Sequence, residues 1–282
     1  MASGSKPNAG DILAKQLVHR IDPATWLADE CNLTPDPWQG EILQVRGTKK
    51  RGARIAALAV RQSGKSQIAA GRAAHTGLFK KDRRGAPTVS LIAAPAERQA
   101  QLLLGRAAEL LDYGGHIDQR SQSRIVLKNG AQIIALPMGA DAGATARGYT
   151  VTGIAILDEV GFLSAAQEVM AVVAPMCAIH GADLMLISSA SFEGDYWHGV
   201  SILGNGNWER FRITMDMCPR LNDEIIEDLR GELGPALFAR EMELQFSAEG
   251  FSPVSLAAMR ACVDKLPGPM STDTLDPMEL MR

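Results

Sequence analysis

Three short runs in this 282-residue chain carry residue types that handle phosphate. The first is Gln62-Ser63-Gly64-Lys65-Ser66, entered from an apolar run and followed by an Ala-rich one. Gly64 lets the chain curl so that successive N–H groups point at phosphate. Lys65 reaches the outer phosphates, and the Ser66 hydroxyl ligates Mg2+. The start of the following helix adds its positive end. The pattern GxxxxGK[ST] asks for glycine at position 59, where Ala59 stands. The second run is Asp158-Glu159, after Ile154, Ala155, Ile156 and Leu157. The first acid suits a metal held through its water shell, and the second suits orienting and polarising an attacking water. Taken alone, Asp158 also suits an N-cap. The third run, Ser188-Ser189-Ala190, suits sensing of a γ-phosphate; small polar residues after a strand equally make a turn.

These runs need a frame that holds them at strand ends. Residues 54–60, 88–93, 153–157 and 183–187 are apolar runs of strand length, and 208–214 is a further candidate. Helices are predicted over 11–20, with Ile12, Leu13, Leu17 and Gln16 on one face, and after the Asp22-Pro23 and Asp36-Pro37 start signals. Others follow Ser66 to about 75, then 95–111 (opened by Pro95-Ala96-Glu97), 165–173, 221–233 and 235–246. Lys128-Asn129-Gly130 between 124–127 and 131–136 predicts a hairpin. Strands that alternate with helices and are apolar throughout predict an α/β fold, with a mostly parallel sheet covered on both faces. Ligands of such sheets sit at the carboxyl ends of strands, where all three runs fall. A strand at 88–93 between the loop strand and the acidic strand suits nucleotidases with an additional catalytic Glu.

The net charge of −3 excludes a uniformly basic nucleic-acid coat. It conceals an asymmetry: residues 1–150 carry 21 Lys/Arg against 12 Asp/Glu, and residues 151–282 carry 8 against 20. Two basic runs, Arg46, Lys49, Lys50, Arg51, Arg54 and Lys80, Lys81, Arg83, Arg84, suit either phosphate contacts or solvated loops. No apolar run reaches the ~18 residues of a membrane span. Cys31, Cys177, Cys218 and Cys262 lie far apart, which supports neither zinc nor a disulfide frame and makes a reduced cytosolic setting the default.

The combination resembles the large terminase subunit of tailed bacteriophages, the motor that packages DNA into procapsids. Val60-Arg61-Gln62-Ser63-Gly64-Lys65-Ser66 has an early Arg and lacks the first Gly. Pro37-Trp38-Gln39 stands where that family has its adenine-recognising segment, and Arg147-Gly148 lies before the acidic strand. Asp158-Glu159 runs into Val160-Gly161-Phe162, and 240–246 is similar to the family's end-of-motor segment. The resemblance covers roughly 30–250 and implies a RecA-like P-loop NTPase of the ASCE type with a small helical lid. The lid would comprise the N-terminal helices and 221–246. ATP and Mg2+ are the implied cofactors. Gln39 would meet the adenine edge; Arg61, Gln62, Ser63, Gly64, Lys65 and Ser66 would cradle phosphates. Ser66 and Asp158 would hold the metal, and Glu159 would activate water. Ser188, Ser189 and Ala190 would couple hydrolysis to DNA movement. The arginine finger would be Arg61 in cis or Arg147 in trans.

Double-stranded DNA, the procapsid portal, a small terminase subunit and a ring of copies, five in the family, are the implied partners, in host cytoplasm and without membrane. Residues 1–250 would form the motor, and 251–282 a tail toward an absent nuclease domain, so that no DNA cleavage is expected of the chain alone. A helicase-type ATPase and a non-catalytic nucleotide-binding DNA-docking module are the rival readings.

Overall fold

The computed structural model describes residues 8–48, 51–138, 148–163 and 165–248; Lys49, Lys50, Arg147 and the 251–282 segment lie outside them. Three helices lead in: α1 (Ala9–Ile21), α2 (Pro23–Cys31) and α3 (Pro37–Gln44). The Asp-Pro signals start α2 and α3. Asp22 Oδ1 accepts the Ala24 and Thr25 N–H groups at 3.0 and 3.3 Å, and Gln39 Oε1 accepts the Asp36 N–H at 2.8 Å. Trp26, Leu27, Trp38, Ile42 and Leu43 then join the main core, so α2 and α3 are built into the body of the fold.

The sheet has eight strands: β1 (Arg54–Ala59), β2 (Val89–Ala94), β3 (Ile117–Arg120), β4 (Arg124–Leu127), β5 (Gln132–Pro137), β6 (Ile154–Asp158), β7 (Asp183–Ser188) and β8 (Glu209–Ile213). Their order is β3-β4-β5-β2-β6-β7-β1-β8. The run from β5 to β8 is parallel; β3 and β4 are antiparallel additions at one edge. The Asn129-Gly130 hairpin joins β4 to β5, with Gly130 at φ 86°. The strand that lies between the β1 loop strand and the acidic β6 is β7, paired to both. The expected intervening strand at 88–93 is β2, on the far side of β6. Chain order and sheet order differ because each parallel crossover is free to skip a position.

Helices α4 (Lys65–Phe79) and α5 (Glu97–Asp112) pack on β2, β5 and β6. Helix α6 (Ala166–His180) packs on β6 and β7, and α7 (Tyr196–Ser201) on β1. The central strands bury every residue from Ile55 to Ala59 and all of β6, as strands covered on both faces must. Helix α6 runs on past Pro175 to His180, further than predicted.

Two elements hold more than their sequence signals give. The predicted α1 forms, and its Ile12, Leu13 and Leu17 face is exposed. The helix is tethered by polar contacts instead: Lys15 to Glu30 at 2.9 Å and the buried His19 to Asp29 at 2.9 Å. The two predicted C-terminal helices form one kinked element, α8 (Asp223–Glu241). Gly234 at φ 69°, ψ 165° bends the axis before Pro235. It stops at Glu241, five residues early, because Leu244 takes a left-handed turn at φ 57°.

One close approach fixes the start of β1. A Cβ on Gly52 would overlap the Ala182 carbonyl oxygen at the entry to β7. Ala53 N–H then bonds to Asp183 Oδ1 at 2.8 Å, and Leu184 N–H to the Ala53 carbonyl. Glycine is what lets these two chains touch before they pair.

Candidate active site

The β1–α4 loop curls because Gln62 and Gly64 take positive φ, 62° and 93°. That alternation turns successive backbone N–H groups toward one point, a nest for an anion at the start of α4. The loop is anchored at its base. Val60 N–H bonds to the Ile213 carbonyl at the end of β8, and Arg61 N–H to the Glu241 carbonyl at the end of α8. Ser63 is fully buried, with its hydroxyl unpartnered.

The loop and the end of β6 meet across a cleft of about 600 Å³. Lys65 Nζ lies 3.1 Å from Glu159 Oε1, and Ser66 Oγ donates to Asp158 Oδ2 at 3.3 Å. Asp158 is the last residue of β6 and nearly buried; Glu159 turns out of the strand at φ 52°, and its N–H caps Asp158 Oδ1 at 3.0 Å. Burial, reinforced by the neighbouring Glu159 charge, pushes the Asp158 carboxyl up to about 6 against the pull of Lys65. A carboxylate raised in this way is relieved by a cation at its oxygens. Asp158 Oδ2 and Ser66 Oγ are two hard oxygen donors that fit Mg2+.

The end of β7 supplies the next layer. Ser188 Oγ donates to Glu159 Oε2 at 3.3 Å and accepts the Gly161 N–H at 3.2 Å, so it fixes the carboxylate and the turn behind it. Ser189 Oγ donates to the buried Glu241 Oε2 at 3.1 Å. Ala190 is fully buried beneath them. Glu241 also lies 3.8 Å from Arg61 Nη1, and its other oxygen accepts from Arg240 Nε and Nη2 at 3.2 and 3.1 Å. Arg240 in turn sits over the Phe162 ring, 5.7 Å from its centre.

Gln39 is brought to the loop, though not onto the cleft surface. Its Oε1 is taken by the Asp36 N–H, while a Cβ on Gly64 would lie 2.8 Å from its Nε2. Above it Arg220 bridges Asp36 Oδ2 at 2.6 Å and the Ser63 carbonyl at 2.7 Å. Arg147 lies outside the described residues.

Thus Arg61, Gln62, Gly64, Lys65, Ser66, Glu159 and Ser189 line one cleft, with Asp158 and Ser188 directly behind. Sequence reasoning missed Arg220 and Arg106, which line the same cleft. It took Arg240 and Glu241 only as parts of a segment. Nothing in the spacing of Arg220 signals its place; the fold brings it 157 residues back to Ser63.

No protein-family model matches the chain, and no curated protein matches it. Solved structures do. The large terminase ATPase domain of Thermus phage P74-26 is 20% identical at a TM-score of 0.60, over 82% of this chain and 97% of that one. The HK97 bacteriophage large terminase is 16% identical at 0.59, over 86% of this chain and 58% of its own. The large terminase of another thermophilic bacteriophage, solved with ADP, is 14% identical at 0.58, over 83% and 53%. The chain therefore spans nearly all of the isolated ATPase domain and little more than half of the longer terminases, and its fold is that of the large terminase ATPase domain.

Proposed function

We propose that the chain is an ATP-hydrolysing motor that drives double-stranded viral DNA into a procapsid, the ATPase portion of a large terminase. The observation that carries the reading is the convergence of Lys65, Ser66, Asp158 and Glu159 at the carboxyl ends of β1 and β6. The shared fold supports it, as do structures of the thermophilic phage terminase that contain ADP and ATP-gamma-S.

In this reading the nest of the β1–α4 loop and the start of α4 bind the phosphates of ATP, and Lys65 turns from Glu159 to the outer phosphate oxygens. Ser66 and Asp158 would hold Mg2+, which supplies positive charge at the phosphates when bound. Glu159, released from Lys65, accepts the proton of the attacking water. Ser188 keeps that carboxylate aimed, and Ser189 with Ala190 passes the loss of the γ-phosphate to α8 through Glu241. Gln39 presents Nε2, the part of its amide not already committed, to the adenine edge. Arg61 acts in cis or Arg147 in trans to stabilise the transferring charge.

Double-stranded DNA, a procapsid portal, a small terminase subunit and a ring of copies, five in number, complete the proposal, set in host cytoplasm. It includes a lid formed by α8, with α2 and α3 packed into the body of the fold, and a 251–282 tail leading toward a nuclease domain. No DNA cleavage is assigned to this chain itself. Among the described residues no helix is long and apolar enough to cross a membrane.

Phosphate release tests the reading. Glu159→Gln is expected to bind nucleotide and to lose turnover; hydrolysis at the wild-type rate would remove Glu159 from the water-activating role. Mixing Glu159→Gln with Arg147→Ala tests the finger. Recovered activity assigns Arg147 in trans, and no recovery from demonstrably assembled subunits assigns Arg61.

A further inference from the structure

Described residues of the two basic runs, separate in sequence, come together at the amino-end edge of the sheet, opposite the cleft. Arg46 and Thr48, before β1, line one cavity of about 380 Å³ with Lys80, from the end of α4, and Arg20, from the end of α1. Arg83 continues the row. Its Nη1 donates to the Ile179 carbonyl at 3.0 Å, beside Gly181 on the rim of the same cavity. Arg51 extends it the other way, donating to the Asn207 carbonyl before β8 at 2.7 Å.

The guanidiniums of Arg46 and Arg51 are fixed in place without being neutralised. Arg46 donates to the carbonyls of Leu43, Val45 and Ile21 at 2.6, 3.2 and 2.8 Å. A carbonyl satisfies an N–H and leaves the positive charge uncancelled. Arg20, Arg46, Arg51, Lys81 and Arg84 have no carboxylate at ion-pair distance among the described residues. The nearby acids are committed elsewhere. Asp22 caps α2, and Asp183 is shared by Arg72 and Lys80 at 3.6 and 3.2 Å. Asp82 Oδ1 accepts the Arg84 and Ala86 N–H groups, both at 2.8 Å, and so braces its own turn. Glu209 opens β8, exposed. The Asp82 turn is further closed by a Lys81–Pro87 bridge, so Lys81 and Arg84 project from a braced support rather than from a slack loop.

The spacing selects the ligand. From Asn207, which leads into β8 and holds Arg51, to Gly153, which leads into β6 and holds Lys80 Nζ at 3.0 Å, the sheet advances three strand positions, roughly 14 Å at ~4.8 Å each. A single phosphate cannot span that. A duplex backbone, carrying one charge per ~1.7 Å of axis, spans it in about four base pairs.

We propose that the amino-end edge of the sheet is a seat for the duplex DNA backbone, formed by Arg20, Arg46, Arg51, Lys81, Arg83 and Arg84. The choice of DNA as the polymer rests on the packaging reading. The surface itself rests on the geometry. Contacts to phosphate alone make the binding independent of sequence and steep in salt, with a log–log slope of about −0.9 per contact.

The test uses the full chain and a fluorescent 25-base-pair duplex of arbitrary sequence, with anisotropy read across a salt series. Lys81→Glu/Arg84→Glu is expected to weaken binding more than tenfold at low salt and to flatten the slope by about two. Arg51→Glu, on the other flank, is expected to weaken it severalfold. Arg98→Glu, on α5 near the opposite edge, is the control and is expected to change it less than twofold. Binding of ADP to the same samples checks that each is folded. Unchanged affinity in Lys81→Glu/Arg84→Glu with ADP binding intact overturns the seat, as does an equal loss in Arg98→Glu. Wild type that binds ADP and hydrolyses ATP but ignores the duplex overturns the seat and leaves the ATPase reading standing. Wild type that binds the duplex by this edge without hydrolysing ATP does the reverse.

Discussion

At the carboxyl-end edge of the sheet the cations face carboxylates: Lys65 meets Glu159, Arg61 and Arg240 meet Glu241, and Arg220 meets Asp36. At the amino-end edge Arg46 and Arg51 face carbonyls: Arg46 meets Leu43, Val45 and Ile21, and Arg51 meets Asn207. Arg106 is an exception at the first edge, unpaired among the described residues, and Arg72 and Lys80, both with Asp183, are paired ones at the second. The difference separates two uses of positive charge. A cation held by a carboxylate exchanges partners when an anion arrives, so it suits a site that changes state. A cation held by carbonyls keeps its field and its place, so it suits a surface that attracts without rearranging.

The sharpest way to break this comparison is at Lys65 and Glu159. Lys65→Ala is expected to abolish nucleotide binding and turnover. Glu159→Gln is expected to lower kcat by about 10²–10⁴-fold with binding retained. If Lys65→Ala leaves ADP affinity unchanged in calorimetry, the exchangeable pair is only structural.

Next in size is Arg72, the buried cation of the other edge. It donates to the Ile42, Leu43 and Val45 carbonyls at 2.9, 3.2 and 2.8 Å and lies 3.6 Å from Asp183. Arg72→Met strands those acceptors, and a loss of about 3–5 kcal/mol is expected in urea unfolding. A loss below about 1 kcal/mol would show that Lys80 and solvent replace it.

Asp158 gives a smaller effect with a definite sign. Its carboxyl, ordinarily near 3.8, is raised to about 6, so the folded chain holds the proton more tightly than the unfolded chain. That contribution to stability is fully present below pH 3.8 and is lost as pH rises through 6. Asp158→Asn is therefore expected to be the more stable protein at pH 8, by about 3 kcal/mol, and to flatten the pH dependence between about 4 and 6. Thermal unfolding at pH 5 and pH 8 checks it; a wild-type advantage at pH 8 reverses the assignment.

The smallest effect is at Arg220, half-exposed over the loop. Arg220→Met frees Asp36 and the Ser63 carbonyl to solvent and is expected to raise the KM for ATP about three- to tenfold with little change in kcat. An unchanged KM removes Arg220 from loop positioning.

Much of this frame was legible in the sequence, because its signals are local. Asp22-Pro23, Asp36-Pro37, Asn129-Gly130 and the Gly64-Lys65-Ser66 turn each act within four residues, and the apolar strands declare burial on both faces. The order of the strands was not legible. Nothing in 88–93 or 183–187 says which lies beside β1, since that is decided by how α4, α5 and α6 cover the sheet. The apolar stripe of α1 was legible and its exposure was not, because a stripe names no partner. Arg220 and the meeting of Arg46 with Lys80 were invisible for a related reason. They depend on separations of 157 and 34 residues closed by the fold, whereas a cap or a turn carries its partner with it.

Gly52 sets a boundary on how far this chain can vary. The Ala182 carbonyl occupies the volume of any Cβ there, and both atoms belong to backbone that pairs β1 with β7. In a saturation library scored for folding, position 52 should accept nothing but glycine. Gly40 and Gly231, whose added Cβ atoms would meet no neighbour within 4 Å, should accept many residues. Descent within this lineage is thus free on the helix surfaces and closed at one seam beside the first strand.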